Sequence, residues 1–208
     1  MSLDLWLAFA IASEIILVIP GPTIILVVSQ AITHGRTSVI PLVAGVVLGD
    51  FTAMTMSLVG LGAVLAASAI LFGVLKWIGA IYLFYLGLKL WRRKPDHSPA
   101  SLAATPSSNR SLFKRAFIVT ALNPKSIAFF VAFLPQFIAP QTPHIKQLPL
   151  MGITFLILAG INAALYAIFA GQLRDTLKNP SVRKWFDRCG GTALMGAGVL
   201  TAAMQRSS

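Results

Sequence analysis

Six long apolar runs constrain this chain more than any other feature of its sequence. Each is long enough to cross a hydrocarbon core about 30 Å thick at about 1.5 Å per residue, the longer runs with a tilt or a break. The runs are Leu5–Ile32, Val39–Ala66, Ala69–Trp91, Leu112–Ala139, Leu148–Leu173 and Trp185–Met204. They predict an all-α membrane protein in which six transmembrane helices form one domain over residues 1–208.

Charged residues are scarce, which supports a membrane location. Only 11% of the chain is charged, whereas a soluble domain carries about 25%. The net charge of +11 would suit nucleic acid, but the basic residues lie between the apolar runs, where they orient a membrane protein. We therefore expect membrane lipid, and not nucleic acid, around this chain.

The Lys and Arg residues also predict which side of the membrane each connection faces. Thirteen of them flank the first, third and fifth connections, and three flank the opposite side. Because positively charged loops stay in the cytoplasm, both termini are predicted to lie outside it. The third connection is rich in Pro and Ser and predicts a flexible loop. This loop, about residues 95–111, separates a first half, about residues 1–94, from a second half, about residues 112–208.

Proline interrupts the first and the fourth helix. Helix 1 contains Pro20-Gly21-Pro22, and helix 4 contains Asn123-Pro124-Lys125. Proline removes a backbone hydrogen bond, and at membrane depth such a break is tolerated where it is buried or lines a cavity. Because each half has three helices, the two halves must have opposite orientations, which predicts inverted repeats. Glycines at equal spacing in helices 3 and 6 support the repeat: Gly79 and Gly87, then Gly190 and Gly198.

Three charged residues lie near the middle of apolar runs. They are Glu14 in helix 1, Asp50 in helix 2 and Lys125 in helix 4. A charge at the membrane centre costs at least about 2.5–3.5 kcal/mol and therefore indicates a functional site. A buried bridge from Lys125 to Asp50 or to Glu14, which would only lock the helices, is the structural alternative.

The chemistry of these residues suits a zwitterion. A half-helix that begins at Pro22 offers free N–H groups and the Thr23 hydroxyl to a carboxylate, and the half-helix at Pro124 adds the Lys125 charge. Glu14 and Asp50 are then available for an ammonium group or a coupling proton, and we assign the proton to Asp50. Gly45 and Gly49 precede Asp50 and predict close approach of another helix. The predicted substrate site comprises Glu14, Pro20, Gly21, Pro22, Thr23, Asn123, Pro124, Lys125 and Asn162.

Taken in order, these motifs resemble the LysE/RhtB superfamily of amino-acid exporters over nearly the whole chain. The motifs that carry the resemblance are Pro20-Gly21-Pro22, Gly45-x-x-x-Gly49-Asp50, Leu75-Lys76-Trp77-Ile78-Gly79-Ala80 with Tyr82-Leu83-x-Tyr85-Leu86-Gly87, Asn123-Pro124-Lys125 and Leu134-Pro135-Gln136-Phe137. The resemblance implies efflux of an amino acid across the bacterial cytoplasmic membrane, driven by the proton motive force. His34-Gly35, Val74–Trp77 and Asn123–Ser126 look closest to the homoserine and homoserine-lactone efflux branch.

Other classes of protein fit the sequence less well. An intramembrane enzyme would need a nucleophile with a base, or metal ligands, at mid-membrane, and the apolar runs offer neither. We therefore expect no enzymatic activity, no cofactor and no resident metal. A divalent-cation exporter and a channel stay open as alternatives, as does a homo-oligomer. The lone Cys189 excludes an internal disulfide.

Overall fold

The computed structural model describes residues 1–67, 69–92, 108–138, 144–172 and 180–203. Within these ranges every regular element is helical, and the chain contains no described strand. We number the helices α1 Leu3–Val18, α2 Pro22–His34, α3 Val39–Ala67, α4 Ala69–Trp91, α5 Asn109–Ala121, α6 Pro124–Ala128, α7 His144–Ile168 and α8 Pro180–Ala203.

Three helical stretches in the described part of the chain are long and apolar enough to cross a membrane. They are Pro22–Gly62, Asn109–Phe137 and Gln147–Ile168, and a shorter apolar helix covers Trp77–Trp91. The chain is therefore a multi-pass membrane protein.

The prolines break the first apolar run where the sequence predicts. A residue that precedes proline is pushed out of the helical region by the proline ring. Ile19, before Pro20, has φ −64° and ψ 119°, and Gly21, before Pro22, has φ −113° and ψ −171°. Helix α1 therefore stops at Val18, and α2 starts at Pro22, whose missing N–H costs nothing at a first helical position.

The same rule breaks the fourth run. Asn123, before Pro124, is extended at φ −70° and ψ 112°, and its side chain accepts a hydrogen bond from the Lys125 N–H as an N-cap. Beyond α6 the chain continues as a π-helical turn, Phe129–Phe133, and a 3₁₀ turn, Leu134–Phe137. The second half of this run is thus more irregular than one broken helix. The phenylalanines of the π turn are buried, and Phe129 and Phe130 pack against Phe155 of α7.

Small residues allow two parallel helices to pack closely. A Cβ added at Gly45 of α3 would lie 2.8 Å from the Ala116 Cβ of α5, and one added at Gly49 would lie 2.7 Å from the Thr120 Cβ. Because both contacts advance four residues in the same direction, α3 and α5 run parallel. Helices α1 and α7 are also parallel, since Trp6 donates to Thr154 and Tyr166 donates to Val18, each pair being 148 residues apart.

Two other pairs run antiparallel. Gly87 of α4 meets Gly191 of α8, whereas Gly198, later in α8, meets Ala80, earlier in α4. Likewise Gly152 of α7 meets Met54 of α3, and Gly160 meets Val47. The broken helices therefore lie in a bundle whose helix directions follow from these contacts.

Several predicted boundaries need correction. Residues 109–111, which the sequence analysis placed in the flexible loop 95–111, form the first turn of α5 because Ser108 caps the Ser111 N–H. The earlier part of that loop, residues 95–107, lies outside the described residues. Helix α7 begins at His144 and includes Pro149, and α8 begins at Pro180, so both start before the apolar runs do.

Candidate functional site

The two helix breaks meet in the interior of the bundle. The Thr23 hydroxyl oxygen, in the first turn of α2, accepts a hydrogen bond of 3.1 Å from Asn123 Nδ2 and one of 3.3 Å from the Thr120 hydroxyl. All three side chains are buried. The residue that follows the first break is therefore bonded to the residue that forms the second.

Lys125 joins the second break to the end of α1. Its ammonium donates hydrogen bonds of 2.7 Å to the Ile16 carbonyl and 2.8 Å to the Ile19 carbonyl. These are among the carbonyls that a helix end leaves without intrahelical partners, and they form the negative pole of α1. A Cβ added at Gly21 would lie 3.4 Å from the same ammonium nitrogen, so Lys125 lies directly against the first break.

Asp50 lies close to this junction on α3. Its side chain is 2% exposed, accepts a hydrogen bond from Ser126 and is attracted by the Lys125 charge. Its Oδ1 atom finds no hydrogen-bond partner among the described residues. The carboxyl group is thus enclosed and held on one side, with one oxygen left for a proton or a ligand.

The locking bridge from Lys125 to Asp50 or Glu14 is not formed in the described part of the chain. The Lys125 ammonium donates to backbone carbonyls instead. The reason is geometric, because the broken end of α1 offers two unpaired carbonyl oxygens within reach of the same side chain.

A second polar group lies along the α1–α7 contact. Asn162 Nδ2 approaches Glu14 Oε1 at 3.5 Å, and the Tyr166 hydroxyl, one turn further along α7, donates a hydrogen bond of 2.8 Å to the Val18 carbonyl. Asn162 is buried and its Oδ1 atom has no partner among the described residues. The Glu14 carboxylate is half-buried and exerts its charge on Tyr166.

Most of the predicted site residues thus fall into two neighbouring groups. Contacts join Gly21, Thr23, Asn123, Lys125 and Asp50 around the breaks, while Glu14 and Asn162 belong to the α1–α7 contact. Pro20, Pro22 and Pro124 shape the backbone.

Three functional candidates were missing from the sequence analysis: Thr120, Ser126 and Tyr166. The sequence does indicate them, because each is a polar residue inside an apolar run and lies within four positions of a predicted site residue.

The described residues hold no group of three or more His, Cys, Asp or Glu side chains that could bind a metal ion. The polar atoms at the breaks are hydroxyl, amide, carboxyl and ammonium groups. Such a set can bind charged and hydrogen-bonding groups of a small molecule, and it can exchange a proton at Asp50.

A cavity of about 380 Å³ lies between the C-terminal ends of α2 and α7. It is lined mainly by small residues, and the basic residue Arg36 also lines it. Ala31 and Ala167, which line it, also belong to an apolar cluster with Val27 and Ala163. Thr23 and Asn162 lie earlier on the same two helices than the residues that line the cavity.

Comparisons with known proteins agree on one family. The sequence profile of the LysE type translocator family matches residues 14–205. No solved structure matches the chain.

Curated relatives match over the full length. The chain is 33% identical over 207 residues to the homoserine/homoserine lactone efflux protein of Salmonella typhimurium, covering 100% of both chains. It is 34% identical, with the same coverage, to the protein of that name from Salmonella typhi. An uncharacterized membrane protein of Vibrio cholerae is 31% identical over 204 residues, which cover 97% of this chain and 98% of that protein.

Proposed function

Because the chain belongs to the LysE family of translocators, we propose that it exports a small amino acid or amino-acid derivative of the homoserine, threonine or neutral class from the cytoplasm. The observation that carries this proposal is the buried junction of the two broken helices at Thr23, Asn123 and Lys125. Discontinuous helices that meet inside a membrane bundle are the usual substrate sites of secondary transporters. Members of a translocator family move their substrates and do not convert them.

The first turn of α2 suits the carboxylate of the substrate. In the described part of the chain no side chain caps its N–H groups, and the positive end of the helix dipole favours an anion there. The Thr23 oxygen already accepts two hydrogen bonds, which leaves its own proton for a carboxylate oxygen. Pro20, Gly21, Pro22, Asn123, Pro124 and Lys125 shape this end of the site, and Glu14 and Asn162 lie at its other end.

Asp50 is the proton-coupling residue in this proposal. Its burial and its unpartnered Oδ1 leave one oxygen that a proton can occupy without displacing the Ser126 hydrogen bond. Uptake or release of that proton changes the charge beside Lys125, and hence the attraction between α3 and the second break. A secondary exporter can use this coupling to exchange a proton for each substrate.

Six alternating spans arranged as two inverted repeats would explain the contact directions. In that arrangement α1 and α7 run parallel, as do α3 and α5. Helices α4 and α8 run antiparallel, as do α3 and α7. The contacts between α4 and α8 are also symmetric, as expected if a two-fold axis relates the two halves of the chain. An added Cβ at Gly87 would lie 2.7 Å from the Met195 nitrogen, and one at Gly198 would lie 3.0 Å from the Phe84 nitrogen. Met195 and Gly198 follow Phe84 and Gly87 by the same 111 positions.

The proposed setting is the bacterial inner membrane with both termini on the periplasmic side, because the Lys and Arg residues cluster at the odd-numbered connections.

A divalent-cation exporter is the less favoured alternative. Hard cations need several oxygen ligands, whereas the Lys125 ammonium occupies the carbonyls at the broken end of α1. Proton-driven accumulation separates an exporter from a channel, the other alternative.

Inside-out membrane vesicles with an acidic interior test the proposal. Uptake of labelled homoserine, threonine, leucine and lysine is compared between the wild type and Asp50→Asn, with and without a protonophore. We expect one of the neutral amino acids to accumulate, and both the protonophore and Asp50→Asn to abolish its accumulation. If no amino acid accumulates while divalent cations do, or if uptake ignores the proton gradient, the proposal is wrong.

A further inference from the structure

We propose that Glu14, Asn162 and Tyr166 form the subsite for the ammonium group of the exported molecule, and that this subsite selects a primary ammonium. The inference rests on the proposed export function and adds to it which residues read the amino group. The three side chains lie on one contact, between α1 and α7, immediately before the first helix break.

Most of the free hydrogen-bonding atoms of this group are acceptors. The Glu14 carboxylate has no donor, and among the described residues one of its oxygens is approached, by Asn162 Nδ2 at 3.5 Å. That distance is long for an N–H···O hydrogen bond, so Glu14 is held loosely. Asn162 turns its amide nitrogen to Glu14, and its buried Oδ1 is left without a partner among the described residues.

Tyr166 adds a third acceptor. Its hydroxyl proton is used in the 2.8 Å hydrogen bond to the Val18 carbonyl. The phenolic oxygen therefore keeps only its lone pairs for a ligand. Tyr166 lies one helical turn from Asn162 on α7, and its partner Val18 lies one helical turn from Glu14 on α1, so the three side chains follow one another along the same contact.

A site with acceptors and a negative charge fits a group with donors and a positive charge. A primary ammonium has three N–H donors and no acceptor, which matches the carboxylate, the amide oxygen and the phenolic oxygen. Each methyl group on the nitrogen removes one donor, and acylation removes the charge as well. Asn162 Oδ1, the buried acceptor of the three, then stays unpaired and carries its desolvation cost, so we expect the protein to discriminate against substituted amines.

The two ends of the proposed site therefore offer opposite hydrogen-bonding groups to a substrate. The first turn of α2 presents donors, namely its uncapped N–H groups and the Thr23 hydroxyl. The α1–α7 contact presents acceptors. Val18, whose carbonyl accepts the hydrogen bond from Tyr166, is the last residue of α1 and lies in the chain between Glu14 and the first turn of α2.

Purified protein in proteoliposomes tests the inference. Export of labelled homoserine is competed by homoserine and by its N-methyl, N,N-dimethyl and N-acetyl derivatives, in the wild type, Glu14→Gln and Asn162→Leu. In the wild type we expect inhibition to weaken about tenfold or more for each donor lost, as for hydrogen bonds to charged groups. In Glu14→Gln we expect a KM for homoserine raised about tenfold or more, and a flattened preference among the amines.

Thr154→Val is the matched control. Thr154 accepts the Trp6 hydrogen bond of 3.0 Å on the same α1–α7 contact, but it lies two helical turns from Asn162. Its loss should leave the order and spacing of the four amines unchanged. A control that flattens the preference as Glu14→Gln does would reduce the effect to general loosening of the contact and overturn the inference.

The outcomes separate the two proposals. If the wild type exports no amino acid, the proposed function fails. If it exports homoserine but the dimethyl derivative competes as well as homoserine, the export function stands and the ammonium subsite is wrong. This comparison needs only the wild-type protein, so it decides the question even where a variant does not fold.

Discussion

Lys125 places a full positive charge inside the membrane, and the structure shows why the bundle tolerates it. The ammonium satisfies the Ile16 and Ile19 carbonyls, which the break at Pro20 leaves without helical partners. The charge thus stabilises the broken end of α1 and is attracted to Asp50 at the same time. At the scale of single residues, one side chain holds both breaks together.

Replacement of Lys125 by Met should therefore destabilise the protein. Methionine keeps the length of the side chain but leaves two buried carbonyls unpaired, at a cost of about 1–3 kcal/mol for each in the free energy of unfolding. Thermal unfolding of the detergent-solubilised protein measures the loss. Lys114→Met, at an exposed position of α5, is the control and should unfold as the wild type does. Equal unfolding temperatures for both variants would contradict this role of Lys125.

Thr23 allows a sharper test of the carboxylate site. Thr23→Val keeps the shape of the side chain and removes the oxygen that Asn123 and Thr120 contact, whereas Thr23→Ser keeps the oxygen. We expect Thr23→Val to raise the KM for the exported amino acid about tenfold or more, as expected for a lost hydrogen bond to a charged group. Thr23→Ser should stay close to the wild type. Equal KM values for Val and Ser would show that the hydroxyl does not bind substrate.

At the scale of helices, glycine decides which faces meet. Along α3 the glycines divide into two kinds, because Gly45 and Gly49 lie against α5, while an added Cβ at Gly60 or Gly62 would have no atom of the described residues within 4 Å. The same substitution should therefore act differently at two places on one helix.

Gly45→Ala and Gly62→Ala test this difference. The new Cβ at residue 45 would lie 2.6 Å from the Phe113 carbonyl oxygen, and such overpacking costs about 1–3 kcal/mol. At residue 62, where space is open, alanine should be neutral or stabilise α3 by about 0.5–1 kcal/mol. Thermal unfolding of both variants in detergent measures the difference, and a Gly62→Ala loss as large as that of Gly45→Ala would refute the assignment of the packed face.

The sequence predicted these elements unevenly, for physical reasons. Both breaks could be predicted, because proline acts on its own backbone and on the residue before it. The π and 3₁₀ turns at Phe129–Phe137 could not, because they lie against helices that are distant in sequence: the π turn contacts α3 and α4, and Phe137 of the 3₁₀ turn packs against Phe9 of α1. The polar candidates were visible as polar residues in apolar runs. Their partners were not, because the reach of Lys125 to Ile16 and Ile19 depends on how distant segments meet.

At the scale of the whole molecule, contact directions carry information that helix lengths do not. Length and hydropathy indicate three crossing stretches in the described part of the chain. The parallel α1–α7 and α3–α5 contacts, with the antiparallel α4–α8 contact, are those expected if six helices alternate in direction. The orientation of the bundle then depends on where the Lys and Arg residues lie.

Cysteine labelling tests the first three of the six proposed spans and their orientation together. In a Cys189→Ser background, single cysteines replace Ser2, Arg36 and Arg110, which are all exposed. One crossing separates the first two positions and two crossings separate the last two. A membrane-impermeant maleimide should therefore label Ser2→Cys in spheroplasts, and Arg36→Cys and Arg110→Cys only in inside-out vesicles. Labelling of Arg36→Cys and Arg110→Cys from opposite sides would mean that α3 and α4 do not both cross, and the inverted repeat would fail with them. Reversed labelling of all three positions would keep the first three spans and invert the orientation, so that both termini would not lie on the periplasmic side.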